Sequence, residues 1–381
     1  MTNRAAEVAD WRRHLHAHPE LMYEVHETAR YVAEMLRQFG CGEVVEGIGR
    51  TGVVGLIRGR SPGPTVGLRA DMDALPITER RDLPHKSRNP GVMHACGHDG
   101  HTAMLLGAAR ELCDYRDFDG SVAVIFQPAE EGGAGGLAMV EDGMMERFGI
   151  QRVFGLHNKP GLPLGQFAIR PGAIMASTDC VTITVRGLGG HAAMPHLCAD
   201  PVVAAAAIVQ GLQTLASRTL DPLDPAVLSI TNLNAGEGAF NVIPEEAVMT
   251  GTVRALSADV RDAMEAGIAR IAPAIAAAHG CEAHVDYDRR YPVTVNDATE
   301  AAFAAAIAKQ VAGEGAVDDA VAPMMGGEDF SYMLEARPGA FIFMGNGDSA
   351  GLHHPDYDFD DRAIPYGMAY WTTLAKAALA A

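Results

Sequence analysis

The stretch Ser121–Glu130, SVAVIFQPAE, decides the architecture. Val122 to Phe126 are apolar without a break, so both faces of the strand they form have to be covered. Pro128 cannot continue a sheet ladder, because it lacks the N–H. The chain then runs into two carboxylates, Glu130 and Glu131. A strand covered on both faces belongs to a central sheet flanked by helices. The same pattern recurs on either side. VVGLI and TVGLRAD, joined through SPGP, read as two strands and a turn, and VFGLHN and GAFIFMGNG read as two more. Ahead of them, Glu27–Phe39 sets Val32, Leu36 and Phe39 on one helical stripe that stops at Gly40. His101–Cys113, TEAAFAAAIAKQVA and an Ala-rich C-terminal segment read as further helices. The outer parts of the chain therefore predict an α/β fold, a sheet flanked by helices.

From about Thr178 the pattern changes. DCVTITVRG alternates apolar and polar residues, as a strand with one wet face does. An Ala-rich helix over Pro201–Ser217 follows, then strands at AVLSITNLNAG and AVMTGTVRAL, a helix near Val260–His279, and AHVDYDRRY. That order, βαββαβ, is the split motif of an α+β ferredoxin-like domain. The expected organisation is a first domain made of 1–177 and 291–381, with 178–290 inserted into it.

Composition narrows the function. A chain of 381 residues has room for two domains, and 48% apolar with 20% charged residues is ordinary for a globular protein. The formal charge of −18 leaves no basic patch for nucleic acid or an anionic membrane. No run of 18 apolar residues occurs and the first residues have no apolar signal core, so a cytoplasmic protein with a small-molecule partner is expected. Cys41, Cys96, Cys113, Cys180, Cys198 and Cys281 contain no CxxC pair, which argues against a disulfide framework.

Chemistry gathers where strands end. TVGLRAD is followed by Met72 and Asp73, so Asp71 and Asp73 stand at one strand end. Glu130 and Glu131 stand at a second, His157 at a third, and His353 and His354 beyond a fourth. MHACGHDGH, Met93–His101, adds Cys96 and His98 ahead of a helix, with Asp99 and His101 as capping or supporting groups. Thiolate, imidazole and carboxylate together favour zinc, manganese, cobalt or nickel over magnesium or calcium. So many dispersed donors suit two divalent ions roughly 3.5–4 Å apart. Of the paired glutamates, one can ligate while the other stays free as a general base. In the inserted segment, His191, Asn241 and Arg254 offer contacts to a substrate carbonyl and carboxylate; beyond it, Gly326 and Gly327 allow close backbone approach. His14, His16 and His18 in RRHLHAHPEL read as structural.

RRHLHAHPEL, LRADMDALPI, MHACGHDGHT, FQPAEEGGAGG, GLHNKPGLPLG, GGHAAMPH, NVIPEEAVMTGTVR, GGEDFSYM and GLHHPDYDFDD together resemble the amidohydrolase branch of the aminoacylase–carboxypeptidase di-metal peptidase family, which includes hippurate hydrolases and auxin-conjugate amidohydrolases. The resemblance implies a di-metal catalytic domain with a mixed sheet and an inserted lid or dimerisation domain, in a homodimer or homotetramer. It implies Cys96, His98, Glu131, His157 and His353 as metal ligands, Glu130 as proton shuttle, Asp73 as a further catalytic residue, and His191 as a lid residue that in relatives reaches the partner subunit's site. Asp71 stands where related peptidases carry the histidine of a His-x-Asp motif. The reaction implied is hydrolysis of an N-acyl amino acid. A di- or carboxypeptidase using the same site is the alternative, and a non-catalytic homologue that binds metal or ligand stands behind both.

Overall fold

A computed structural model describes residues 3–380. SVAVIFQ forms a strand over Ser121–Gln127, buried from Val122 onward. It is β4 of a sheet that also holds β1 (Glu43–Ile48), β2 (Gly52–Arg58), β3 (Thr65–Asp71) and β5 (Ile150–Lys159). The sheet has eight strands. Its order is β1-β2-β4-β3-β5, followed by Gly339–Gly345, Phe167–Ala168 and Val317–Asp318. β4 runs antiparallel to β2 and parallel to β3, so the sheet is mixed. β3, β4, β5 and Gly339–Gly345 are mutually parallel. Their C-terminal ends therefore share one edge. Asp71 lies opposite Gln127, and His157 opposite Phe343.

Helix α1 (Asn3–Ala17) has no counterpart in the sequence reading. Its buried stripe combines Ala5, Val8, Ala9 and Leu15 with Arg12 and His16, both fully buried. Two buried charges interrupt the apolar periodicity and hide the helix. Helix α2 (His26–Gln38) matches the expected segment, ending just before the left-handed Gly40. Helix α3 (His98–Asp114) begins three residues earlier than expected and is buried on nearly all sides. Its N-cap is Gly97, with no side-chain cap; Asp99 has other partners. Among the described residues no helix is long and apolar enough to cross a membrane.

Contacts divide the chain into two compact units. The first comprises Met1–Ile174, Val295–Ala322 and Asp329–Ala381; the second comprises Met175–Thr294 and Pro323–Glu328. The return of Pro323–Glu328 to the second unit is absent from the sequence reading. Met324 bridges to Met175 there, and the Gly326 carbonyl accepts the Ala176 N–H. The second unit is a four-stranded antiparallel sheet in the order Ala226–Ala235, Glu246–Ala255, Asp179–Arg186, Glu282–Arg289. Helices Pro201–Thr214 and Ala258–Ala278 cover one face, as a βαββαβ chain requires.

Candidate metal centre

The five expected ligands come together at the C-terminal edge of the first unit's sheet. Cys96 Sγ lies 3.4 Å from His157 Nε2. Donor atoms of Cys96, Glu131 and His353 all fall within 4.8 Å of one another, and so do those of His98, Glu130 and Glu131. Glu131 belongs to both groups. The His98 and His157 rings are 5.9 Å apart, edge to face. His353 Nε2 stands 3.3 Å from Glu131 Oε1, whereas His354 Nδ1 accepts the Asp356 N–H.

Backbone carbonyls set the tautomers. His98 Nδ1 donates to the Asp73 carbonyl at 2.8 Å, and His157 Nδ1 to the Asn158 carbonyl at 2.7 Å. A carbonyl only accepts, so both rings turn Nε2 toward the cluster. His98 Nε2 is buried and makes no hydrogen bond. Burial opposes charge on His98, but Asp71, Asp73 and Glu131 outweigh it and push the imidazole up to about 10. Burial, then Glu131, Glu130 and Asp71, raise the Cys96 thiol well above its usual range. Surroundings this anionic and this dry call for a cation, and an orphaned imidazole nitrogen beside a thiol and carboxylates fits borderline divalent ions.

His101 also lies within the cluster, with its ring 4.5 Å from that of His157. Both its nitrogens are engaged: Nδ1 donates to Asp71 at 2.6 Å, and Nε2 accepts the Asn158 N–H at 2.9 Å. Asp71 is equally occupied, its other oxygen taking Arg69 at 2.7 Å. Donor atoms of Asp71 and His101 also lie within 4.8 Å of those of His98 and His157, and the hydrogen bonds of both side chains make them supports of the cluster. Asp73 accepts the backbone N–H groups of Glu130 and Glu131 at 3.0 and 3.1 Å. The carboxylate of this expected catalytic residue thus holds the glutamate loop, and its carbonyl orients His98.

Arg69 and Asn158 of this frame were not singled out in the sequence, whereas Asp329 in GGEDFSYM read as a supporting group. Arg69, fully buried, links Gln127, Asp71 and Asp329. Asp329 also accepts Gln127 and the Gly136 N–H; burial raises its carboxyl to about 6 against the pull of Arg69. Asn158 donates to the Cys96 carbonyl at 2.6 Å and accepts Tyr357 at 2.7 Å. Gly97 turns the chain between Cys96 and His98 with φ +92°. A Cβ there would fall on the Asn158 amide and 2.5 Å from the Tyr357 hydroxyl. Gly97→Ala is therefore expected to lower both the thermal midpoint and the bound metal. The left-handed backbone alone costs about 1–2 kcal/mol. An unchanged midpoint and metal content would refute this.

In the second unit, His191 and Asn241 are neighbours: Gly190–His191 pairs with Val242–Ile243, and the Asn241 carbonyl accepts the Ala192 N–H. Both are exposed. His191 Nδ1 accepts the Ala193 N–H at 3.1 Å, which leaves the proton on Nε2. Arg254 is half-buried on another strand of that unit, against Thr252 and the Val253 carbonyl. Burial lowers its pKa. At Gly327 a Cβ would collide with the Thr178 hydroxyl, so glycine is required there by packing; Gly326 has only Met175 nearby.

The chain is 42% identical over 364 residues to a hippurate hydrolase of Campylobacter jejuni, covering 96% of this chain and 94% of that protein. It is 40% identical over 369 residues to an N-acetylcysteine deacetylase of Bacillus subtilis, with the same coverage, 96% and 94%. A solved dinuclear metal-binding peptidase of the M20 family from Bacillus subtilis superposes with a TM-score of 0.87 at 36% identity, covering 100% of this chain and 99% of that one. The profile of peptidase family M20/M25/M40 matches residues 67–377. Similarity of this extent, in sequence and in fold, places the chain in peptidase family M20/M25/M40.

Proposed function

We propose that the chain hydrolyses the amide bond of N-acyl amino acids, releasing a carboxylate and a free amino acid. The observation that carries this reading is the convergence of a thiol, three imidazoles and Glu131 on one edge of the sheet, with a second carboxylate, Glu130, beside them. Cys96, His98, Glu131, His157 and His353 would hold two divalent ions drawn from manganese, zinc, cobalt and nickel. When bound, the ions supply Lewis-acid polarisation of the scissile carbonyl and acidify water. Glu130 takes a proton from the attacking water and returns it to the leaving amine nitrogen. Asp73 keeps the glutamate loop in place through two backbone N–H groups.

For the second unit we propose that His191, with its proton on Nε2, and Asn241 stabilise the developing oxyanion. Arg254 or the Gly326–Gly327 backbone is assigned to the amino acid's carboxylate. The unit acts as lid and dimerisation domain of a cytoplasmic homo-oligomer. Asp71 in place of the histidine of the His-x-Asp motif leans against the peptidase alternative.

The test is a panel of acetyl-, benzoyl- and indole-acetyl-amino acids, with dipeptides alongside, assayed for amine release by metal-reconstituted enzyme. We expect kcat/KM for at least one acyl amino acid to exceed that for dipeptides by more than about 10-fold, the scale of one pocket contact. A panel led by dipeptides would overturn the assignment.

A further inference from the structure

We infer that α1 clamps together the two segments that carry Cys96–His98 and His353, and that Arg12, His16 and Asp99 are positioning residues for the centre. This rests on the ligand assignment proposed above. Arg12 and His16 lie one turn apart on α1 and are 1% and 0% exposed. His16 Nδ1 contacts Asp99 Oδ2 at 2.8 Å, and Asp99 shares a peptide bond with His98. The Arg12 guanidinium lies 3.5 Å from the same Asp99 oxygen. It also reaches the other segment, donating to Asp358 at 3.0 Å and to Asp361 at 2.7 Å, in the stretch that follows His353. One helix thus grips the start of α3 and the His353 loop with two neighbouring side chains.

The far side of His16 is tied down as well. Nε2 faces Glu79 Oε1 at 3.4 Å, and Glu79 Oε2 accepts the Ser87 N–H at 2.7 Å. Both ring nitrogens face carboxylates, so the ring carries charge; burial opposes this, but Asp99 and Glu79 raise it to about 9.

Ion pairs buried this deeply carry desolvation costs that apolar packing of similar volume avoids. What a buried guanidinium and imidazolium add is direction. A planar fork and two opposed N–H vectors fix where their carboxylate partners sit. Of these partners, Asp99 is bonded to His98, and Asp358 and Asp361 follow His353 by five and eight residues. Support of this kind orients ligands in metal sites, and its loss costs 10–100-fold in affinity or activity.

Cobalt(II) titration of the metal-stripped enzyme tests the clamp, read by the thiolate-to-cobalt absorption that reports Cys96. In His16→Asn the amide nitrogen replaces Nδ1 and keeps the bond to Asp99. In His16→Gln the amide nitrogen replaces Nε2, keeps Glu79 and gives up Asp99. We expect His16→Gln to weaken cobalt binding about 10–100-fold and to alter the band, with His16→Asn close to the parent. Equal behaviour of the two variants, whether both like the parent or both equally weakened, overturns the clamp. Arg12→Lys keeps the charge and loses the fork. It should weaken cobalt in the same way, and a parent-like affinity there also overturns the proposal. Cys96→Ala separates the two readings: an unchanged band in that variant defeats the ligand assignment itself.

Discussion

Glu130→Gln is expected to reduce kcat by about 10²–10⁴-fold, the usual worth of a positioned general base, with metal content unchanged. Glutamine matches glutamate in shape and cannot take a proton. Three features make the substitution clean. The backbone of residue 130 is anchored by Asp73, whose carboxylate accepts its N–H at 3.0 Å, so the loop has a hold independent of the side chain. The side chain is 7% exposed and lies within 4.8 Å of His98 and Glu131 donors, close enough to serve the same reacting atoms. Glu131, which is shared between the two donor groups, stays intact. Elemental analysis and steady-state kinetics on one preparation check the result. Full activity would reassign the base, and lost metal would make Glu130 a ligand.

Cys96→Ala is expected to lower bound metal from about two divalent ions per chain to one or none. Cys96 Sγ is 3.4 Å from His157 Nε2 and lies within 4.8 Å of donor atoms of Glu131 and His353, so one side chain neighbours three other proposed donors. Burial and three carboxylates hold the free thiol protonated. Only a cation makes the thiolate stable there, so an ion gains both a ligand and the relief of a crowded anionic pocket. Alanine fits without a clash and leaves the Asn158 bond to the residue-96 carbonyl in place. Loss of metal without loss of fold is therefore the expected pattern. It is read as stoichiometry by elemental analysis and as unchanged far-ultraviolet circular dichroism. A variant that keeps its metal would place the ions elsewhere. The two substitutions dissociate: one removes turnover and spares metal, the other removes metal.

Strands and donors were legible for one reason. SVAVIFQ, TVGLRAD, VFGLHN and GAFIFMGNG are apolar without alternation, which only a doubly covered sheet explains. Each runs into a residue that can bind or support an ion. The paired carboxylates after Pro128 and the cysteine–histidine cluster before α3 carry their chemistry in residue type alone. The βαββαβ order of the middle segment was equally plain in its alternation.

Helix α1 was not legible, because its buried stripe includes Arg12 and His16, and a charge on a buried face is indistinguishable in sequence from a charge in solvent. His101 already read as a supporting group, but what holds it and Asp71 was beyond the residues themselves. Asp71, Asp73, His98 and His101 are all buried ionisable groups at one strand edge. Which of them has a donor to spare depends on partners far along the chain: Asp71 is occupied by Arg69 and His101, and His101 by Asn158, whereas His98 turns a bare nitrogen into the cluster. Residue type and periodicity are local and survive in the string of letters. The occupancy of a lone pair is a non-local property, settled only when the folded chain brings its partner within reach.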